Sequence, residues 1–395
     1  MLRGAAIPAE GGGTSRLADQ VALGVLTRTY PPHLVDRVLA QTGRAERRHR
    51  LLPARLMVYY VLALALFADV GMVEVLRCLV EALREVGTWR HPREPWRCWQ
   101  VPAKSALIQA RARLGPEPLA ALFGQVACPL AGEHTRGAWY RRWRVMSLDG
   151  TCLDVADTPA NQAAFGRPGS GRGEGRGAFP QVRLVGLAEC GTHAIVAARL
   201  GPYRGCGEGK LADGLLADTS AGGALTPEML VLVDRGLWST ARWRRARASG
   251  AALLWRVQTG RCAPALPVDQ ELPDGSWRSH VAADGGTPIV VRVIHYTLDD
   301  PGLARRPGHG THGGARDLPA TGPMVYRLVT SILDPDLAPA AELAALYHQR
   351  WEIQTTLAEL KVAQRGPGAV LRSKTLTAWP RRSGRICWST TRCGR

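Results

Sequence analysis

None of the nine cysteines, at positions 78, 98, 128, 152, 190, 206, 262, 387 and 393, sits in a CxxC pair or a zinc-ligand spacing. Their odd, scattered count argues against a disulfide framework and points to a reducing cytosol. Long apolar runs are missing too. The most hydrophobic stretch, Leu56 to Phe67, is about twelve residues, too short to span a bilayer, and reads as a buried helix with no membrane partner. The first sixteen residues are rich in Gly and Ala and lack the apolar segment of a signal peptide. Acidic residues are scarce: 33 Asp and Glu face 51 Lys and Arg, giving a formal charge of +18 and a pI near 10.2. That balance points to a polyanionic partner, most simply DNA, and to a cytoplasmic, nucleoid-associated protein. A coding bias toward arginine would leave the same surplus.

What is present centres on Val145 to Asp157, VMSLDGTCLDVAD. It reads as a buried strand that delivers Asp149, with Gly150 allowing a sharp exit. The same design recurs at Met229 to Ser239, MLVLVDRGLWS, where five apolar residues deliver Asp234. Two strands each presenting one carboxylate suit divalent ions such as Mg²⁺ or Mn²⁺, which take oxygen ligands.

Around these strands the chain falls into zones. Residues 1–17 are expected to be disordered, and 18–130 to form a helical domain, with helices near Leu34–Thr42, Ala54–Phe67, Met72–Val86 and Ser105–Ala127 bounded by Pro31, Pro53, Gly71 and Pro116. Arg136 to Arg144, RGAWYRRWR, interleaves Arg141, Arg142 and Arg144 with aromatic rings. The arginines could hold phosphate while the rings stack on unpaired bases, or the segment could be a basic linker whose tryptophans pack on the core. Asp157-Thr158-Pro159 reads as a helix start, making Asp154 and Asp157 structural. The loop from Gly166 to Gly177 holds six glycines and three arginines and could lie along a phosphate backbone.

A hairpin is expected over Gln181–Glu189 and His193–Leu200, then the Asp234 strand, a basic helix at Ser239–Ser249 and a strand at Ala252–Gln258. An acidic strand, a hairpin pair, a helix, an acidic strand, a helix and a strand make an α/β domain with a ribonuclease H-like mixed sheet over 145–375. A β-rich insertion is expected at about 258–333. His309 and His312, in its Gly-, Pro- and Arg-rich loop, are weak metal candidates.

Far downstream lies Tyr347 to Lys361, YHQRWEIQTTLAELK. LDGT, then VDRG, then Tyr, two residues, Arg, three residues, an acid, six residues and Lys resembles the signature of the insertion-sequence-4 family of DDE transposases. The chain follows it at Asp149, Asp234, Tyr347, Arg350 and Lys361 and departs at the family's catalytic acid, where Gln354 stands. At about 100° per residue, Tyr347, Arg350, Gln354 and Lys361 share one helix face, whereas Glu352 and Glu359 point elsewhere. The resemblance implies an N-terminal helical domain that contacts DNA and a DNA transposase that cuts insertion-sequence ends and joins them to target DNA with Mg²⁺ or Mn²⁺. It implies Asp149, Asp234 and Gln354 as the catalytic positions, with the two aspartates holding metal. Tyr347, Arg350 and Lys361 would act on the DNA strand, within a homodimer on DNA. A non-catalytic DNA-binding remnant and a metal nuclease without strand transfer are the alternatives. From Leu376 the tail loses helical periodicity and reads as an aberrant basic segment, 376–395, which a one-nucleotide frameshift in a degenerate copy would produce.

A neutral amide oxygen is a poor substitute for a carboxylate at a divalent ion. Metal-dependent cleavage by the chain is therefore expected to be weak and to rise in Gln354→Glu, measured on a labelled fragment carrying the element's ends. No gain in the variant would place the lesion elsewhere.

Overall fold

The computed structural model describes residues 25–48, 50–67, 70–85, 102–169, 177–218, 223–260, 263–281, 287–298, 324–348, 350, 357 and 370–371. The expected disordered start, the two loop histidines and the basic tail lie outside them. The chain divides into two compact units between Val126 and Ala127.

The first unit is all helical: α1 (Pro32–Gln41), α2 (Ala54–Leu66), α3 (Met72–Glu85), α4 (Lys104–Leu114) and α5 (Glu117–Val126). The apolar run lies in α2, buried over Leu56–Tyr60, Leu62 and Ala63 as the centre of this unit's core. Where one helix was expected over Ser105–Ala127 there are two. Gly115, at φ 72°, ends α4, and Pro116 stands before α5. Among the described residues no helix is long and apolar enough to cross a membrane.

The second unit is a mixed β-sheet with helices. Its strands are β1 (Trp139–Tyr140), β2 (Trp143–Asp154), β3 (Gln181–Glu189), β4 (Ile195–Pro202), β5 (Met229–Val233), β6 (Ala252–Arg256), β7 (Gln270–Glu271), β8 (Trp277–Val281), β9 (Ile289–Leu298) and β10 (Met324–Thr330). They run in the order β4-β3-β2-β5-β6-β10-β9-β8-β7, with β1 folded onto the start of β2. β2, β5 and β6 are parallel neighbours, and every other pairing is antiparallel. The helices are α6 (Pro159–Phe165), α7 (Glu208–Leu216), α8 (Thr240–Arg247) and α9 (Ala340–His348). The strands of the expected insertion, β7 to β10, extend the sheet. Within the Arg136–Arg144 segment, Trp139–Arg144 forms a tight hairpin with Arg141 at φ 55° in its turn and Trp143 packed on the core.

Alternation along the parallel strands sorts the core. Met146, Leu148, Val231, Val233, Leu253 and Trp255 pack with Leu211, Ala212 and Leu215 of α7 and Trp243 of α8. Val145, Leu230, Leu232 and Leu254 pack with Leu343, Leu346 and Tyr347 of α9. Strands covered on both faces read as unbroken apolar runs, which is why LVLV shows no alternation of polarity. Thr158 caps α6 by accepting from the Asn161 amide at 3.2 Å, and Asp154 accepts from Gln181 at 2.8 Å, so both sites are structural.

One buried ion pair fixes where α9 begins. Arg292 of β9, fully buried, pairs with Asp274 and donates to Ser276 Oγ and Ala338 O, each at 2.7 Å. Asp274 in turn accepts from the Ala340 amide at 2.8 Å, serving as the N-terminal acceptor of α9 from a distant turn. Removing one member of such a pair strands a buried charge. Arg292→Ala is expected to destabilise the second unit by about 3 to 5 kcal/mol in urea unfolding. Glu74→Ala, which breaks an exposed pair with Arg77 on α3, should cost under about 1 kcal/mol. Equal costs would contradict this account.

Candidate active site

The last residue pair of the parallel β2–β5 ladder is Leu148 with Val233. The next residue on each strand is an aspartate, so register alone sets Asp149 beside Asp234. β2 does not leave the sheet at Gly150 as expected; it runs on to Asp154, paired with β3 alone. Asp149 therefore sits where β5 stops and the sheet opens. The parity that turns Val145 and Leu232 toward α9 also turns Asp149 and Asp234 toward it.

Two residues at the end of α9 meet these carboxylates. The Tyr347 hydroxyl lies 3.3 Å from both Asp234 Oδ1 and the Val233 carbonyl oxygen. Arg350, in the turn after the helix, sets Nη1 3.2 Å from Asp149 Oδ2 and Nη2 3.7 Å from Asp234 Oδ1. Its side chain is 7 % exposed. A second arginine stands behind: Arg256 Nη1 is 4.0 Å from Asp234 Oδ1, and its guanidinium lies over the Tyr326 ring at 4.0 Å. Trp255 Nε1 donates to the Asp234 carbonyl at 3.2 Å.

On the α7 side, Gly150 faces Glu208, whose carboxyl carbon would lie 2.9 Å from a Cβ at position 150. A side chain at position 150 would displace the flexible end of Glu208, so glycine here marks a close approach, not a turn. Burial pushes the Asp149 carboxyl up to about 6. Arg350 and the Gly150 amide pull it down, while Asp234 and Glu208 add to the rise. Burial also raises the Tyr347 phenol, which stays protonated and available as a donor. Burial works against the Arg350 charge, but Tyr347, Asp234 and Asp149 outweigh it and raise its pKa.

Sequence reading thus placed Asp149, Asp234, Tyr347 and Arg350, which the fold brings together. Gln354 and Lys361 lie outside the described residues. Arg256 and Glu208 were missed. Arg256 could have been found by counting from Leu254, two residues earlier on the same strand face, whereas Glu208 carries no local signal.

The other basic candidates are held within the unit. Arg144 pairs with the buried Glu189, donates to Ala131 O at 3.2 Å and lies over the Trp139 ring at 4.3 Å. Arg141 pairs with Glu342 of α9 at 2.9 Å, where the Tyr140 hydroxyl also donates at 2.8 Å. Arg142 is exposed over Trp143, which is itself 5 % exposed and packs on the core.

Asp149 and Asp234 face the two terminal nitrogens of one cation, the Arg350 guanidinium, and offer carboxylate oxygens of the kind that divalent ions take. Among the described residues no group of three His, Cys, Asp or Glu side chains is placed to hold a metal ion. Because Asp149 is raised from its ordinary 3.8, the folded protein binds more protons than the unfolded chain between pH of about 4 and 6. Stability is then greatest below this window and falls as pH rises through it. In metal-free buffer Asp149→Asn should gain on the parent chain by on the order of 3 kcal/mol across that window. A difference independent of pH in urea titrations would contradict it.

With this geometry in view, comparisons with known proteins converge. Residues 20–124 match the family described as Insertion element 4 transposase N-terminal. Transposase InsG for insertion sequence element IS4 of Escherichia coli (strain K12) is 28% identical over 344 residues, spanning 87% of this chain and 69% of that protein. InsZ of the same strain is 27% identical over 174 residues, 44% of this chain and 53% of that protein. The chain is a transposase-like protein of the insertion element 4 family, related to InsG and InsZ.

Proposed function

We propose that the second unit is a ribonuclease H-like DDE transposase domain that cleaves insertion-sequence ends and joins them to target DNA by metal-dependent phosphoryl transfer. The observation that carries this is the placement of Asp149 and Asp234 at the open end of adjacent parallel strands, facing one cation on the α9 side. The order β4-β3-β2-β5-β6, antiparallel then parallel, supports the fold reading, and kinship with InsG and InsZ supports the reaction class.

In this reading Asp149 and Asp234 hold Mg²⁺ or Mn²⁺, and Gln354 stands third. The bound ion would supply Lewis-acid stabilisation of charge at the transferred phosphoryl group. The chain's own residues set the geometry around it. The Tyr347 hydroxyl holds Asp234 in place, donating to Oδ1 at 3.3 Å. Arg350, once released from the aspartates, has a planar fork matched to phosphate oxygens. Arg256 keeps a second positive charge next to Asp234 as Arg350 moves. DNA is the partner, and a homodimer on DNA the assembly.

Gln354 and the shortage of a third carboxylate among the described residues favour a second reading: a copy that keeps DNA binding and has lost cleavage. A labelled duplex with the element's own ends separates the two. The transposase reading expects Mg²⁺-dependent nicking that Asp149→Ala and Asp234→Ala each reduce below detection. Binding without nicking, unchanged in Gln354→Glu, would establish the remnant. Nicking that persists in Asp149→Ala would overturn the site.

A further inference from the structure

Next to the two aspartates stands a carboxylate that no cation answers among the described residues. Glu208, half-buried, is the first residue of α7 and lies against Gly150 on the face of the sheet opposite α9. Its Oε1 is 3.2 Å from where a Cβ at position 150 would stand. Beyond Leu148 and Val233 the β2–β5 ladder has ended, and β2 is flanked by β3 alone. Past that end Glu208 acts on the aspartate of the other face, adding to the rise of the Asp149 carboxyl.

Charge at this end of the sheet is out of balance. Arg350 and Arg256 bring two positive charges to Asp149 and Asp234. Glu208 is a third carboxylate, and its side chain makes no ion pair or hydrogen bond among the described residues. An acid at a helix start is stabilising in its own right, because it faces the unpaired amides of the first turn. That use does not account for the bare Cα opposite it. Gly150 lies inside β2 and has no left-handed backbone angle that would call for glycine; what it does is let the Glu208 carboxylate come close beside Asp149.

We propose that Glu208 supplies the third negative charge of the cation site, from the α7 side of the sheet, through its field and not as a ligand. No three acidic side chains converge on one point among the described residues, so its action is at a distance. The signature offers only two acids, since a neutral Gln354 stands at the third position, and negative charge is what that substitution leaves short. A fixed carboxylate attracts a divalent ion about twice as strongly as a monovalent one at the same distance, so Glu208 favours divalent ions at the aspartates. The inference rests on the reading of Asp149 and Asp234 as the metal-holding pair and adds to it a residue that no motif marks.

The test is Mn²⁺ binding to the full chain at low ionic strength, read as loss of the free-ion signal in electron paramagnetic resonance. Asp149→Asn marks which part of the binding belongs to the site. Glu208→Gln, which removes the charge and keeps the shape, should weaken that part about tenfold. Glu208→Asp, which keeps the charge, should retain most of it. Glu208→Ser, neutral and suited to a helix start, should weaken binding like Glu208→Gln, and it decides the matter if Glu208→Gln does not fold. A role at the helix start alone would lower the melting temperature of the neutral variants and leave their Mn²⁺ affinity unmoved. Asp149-dependent binding of equal strength in the parent chain and the folded neutral variants would overturn the proposal and leave the metal reading standing. Absence of Asp149-dependent Mn²⁺ binding in the parent chain would overturn both.

Discussion

Two carboxylates held side by side at the end of a parallel ladder repel each other, and burial makes each costlier to ionise. Three side chains around Asp149 and Asp234 answer that constraint, while Glu208 adds to it. Arg350 spans both, Arg256 stands behind one of them, and the Tyr347 hydroxyl bonds the oxygen that faces Arg350. Even with this help Asp149 remains hard to ionise, with its carboxyl at about 6. The site is thus a place that demands positive charge. Arg350 meets the demand from within the chain, and a divalent ion would meet it with more charge at shorter range. Asp149 and Asp234 are the residues that would hold such an ion, at the place the Arg350 guanidinium now faces.

The contact of Tyr347 and Arg350 with the two aspartates depends on α9 being held accurately, and three separate elements hold it. Asp274, anchored by the buried Arg292, receives its first amide. Tyr140 and Arg141 of the β1–β2 hairpin grip Glu342 two residues later. Leu343, Leu346 and Tyr347 then pack on the strands that carry the aspartates. The hairpin and the outer strands therefore serve the site without touching it. The arginines of RGAWYRRWR are accounted for mainly by this bracing and by the Arg144–Glu189 pair.

How much of this was legible in the sequence follows from the range of each interaction. The LVLV run before Asp234 and the VMSL run before Asp149 read as buried strands, because a strand covered on both faces is apolar along nearly its whole length, here with buried Ser147 as the exception. Tyr347 and Arg350 were legible through motif resemblance, and the structure seats them against both aspartates. Thr158 was legible as a cap because capping is local. What escaped were relations between residues far apart in sequence. Nothing near Asp274 says that it will accept from Ala340, and nothing near Glu208 says that it will lie against Gly150. Gly150 itself was read as a point of exit because glycine usually relaxes backbone constraints; here it lies against the Glu208 side chain at the start of α7. The paired state of Arg144 was equally hidden, since its partner Glu189 lies on the neighbouring strand.

The most direct test of the central claim is diffraction from crystals of the chain soaked in Mn²⁺, with data recorded at the manganese edge. The account predicts one anomalous peak between the Asp149 and Asp234 carboxylates, with the Arg350 guanidinium withdrawn from both. Crystals in which no peak appears there and Arg350 still bridges the two aspartates at saturating Mn²⁺ would contradict it.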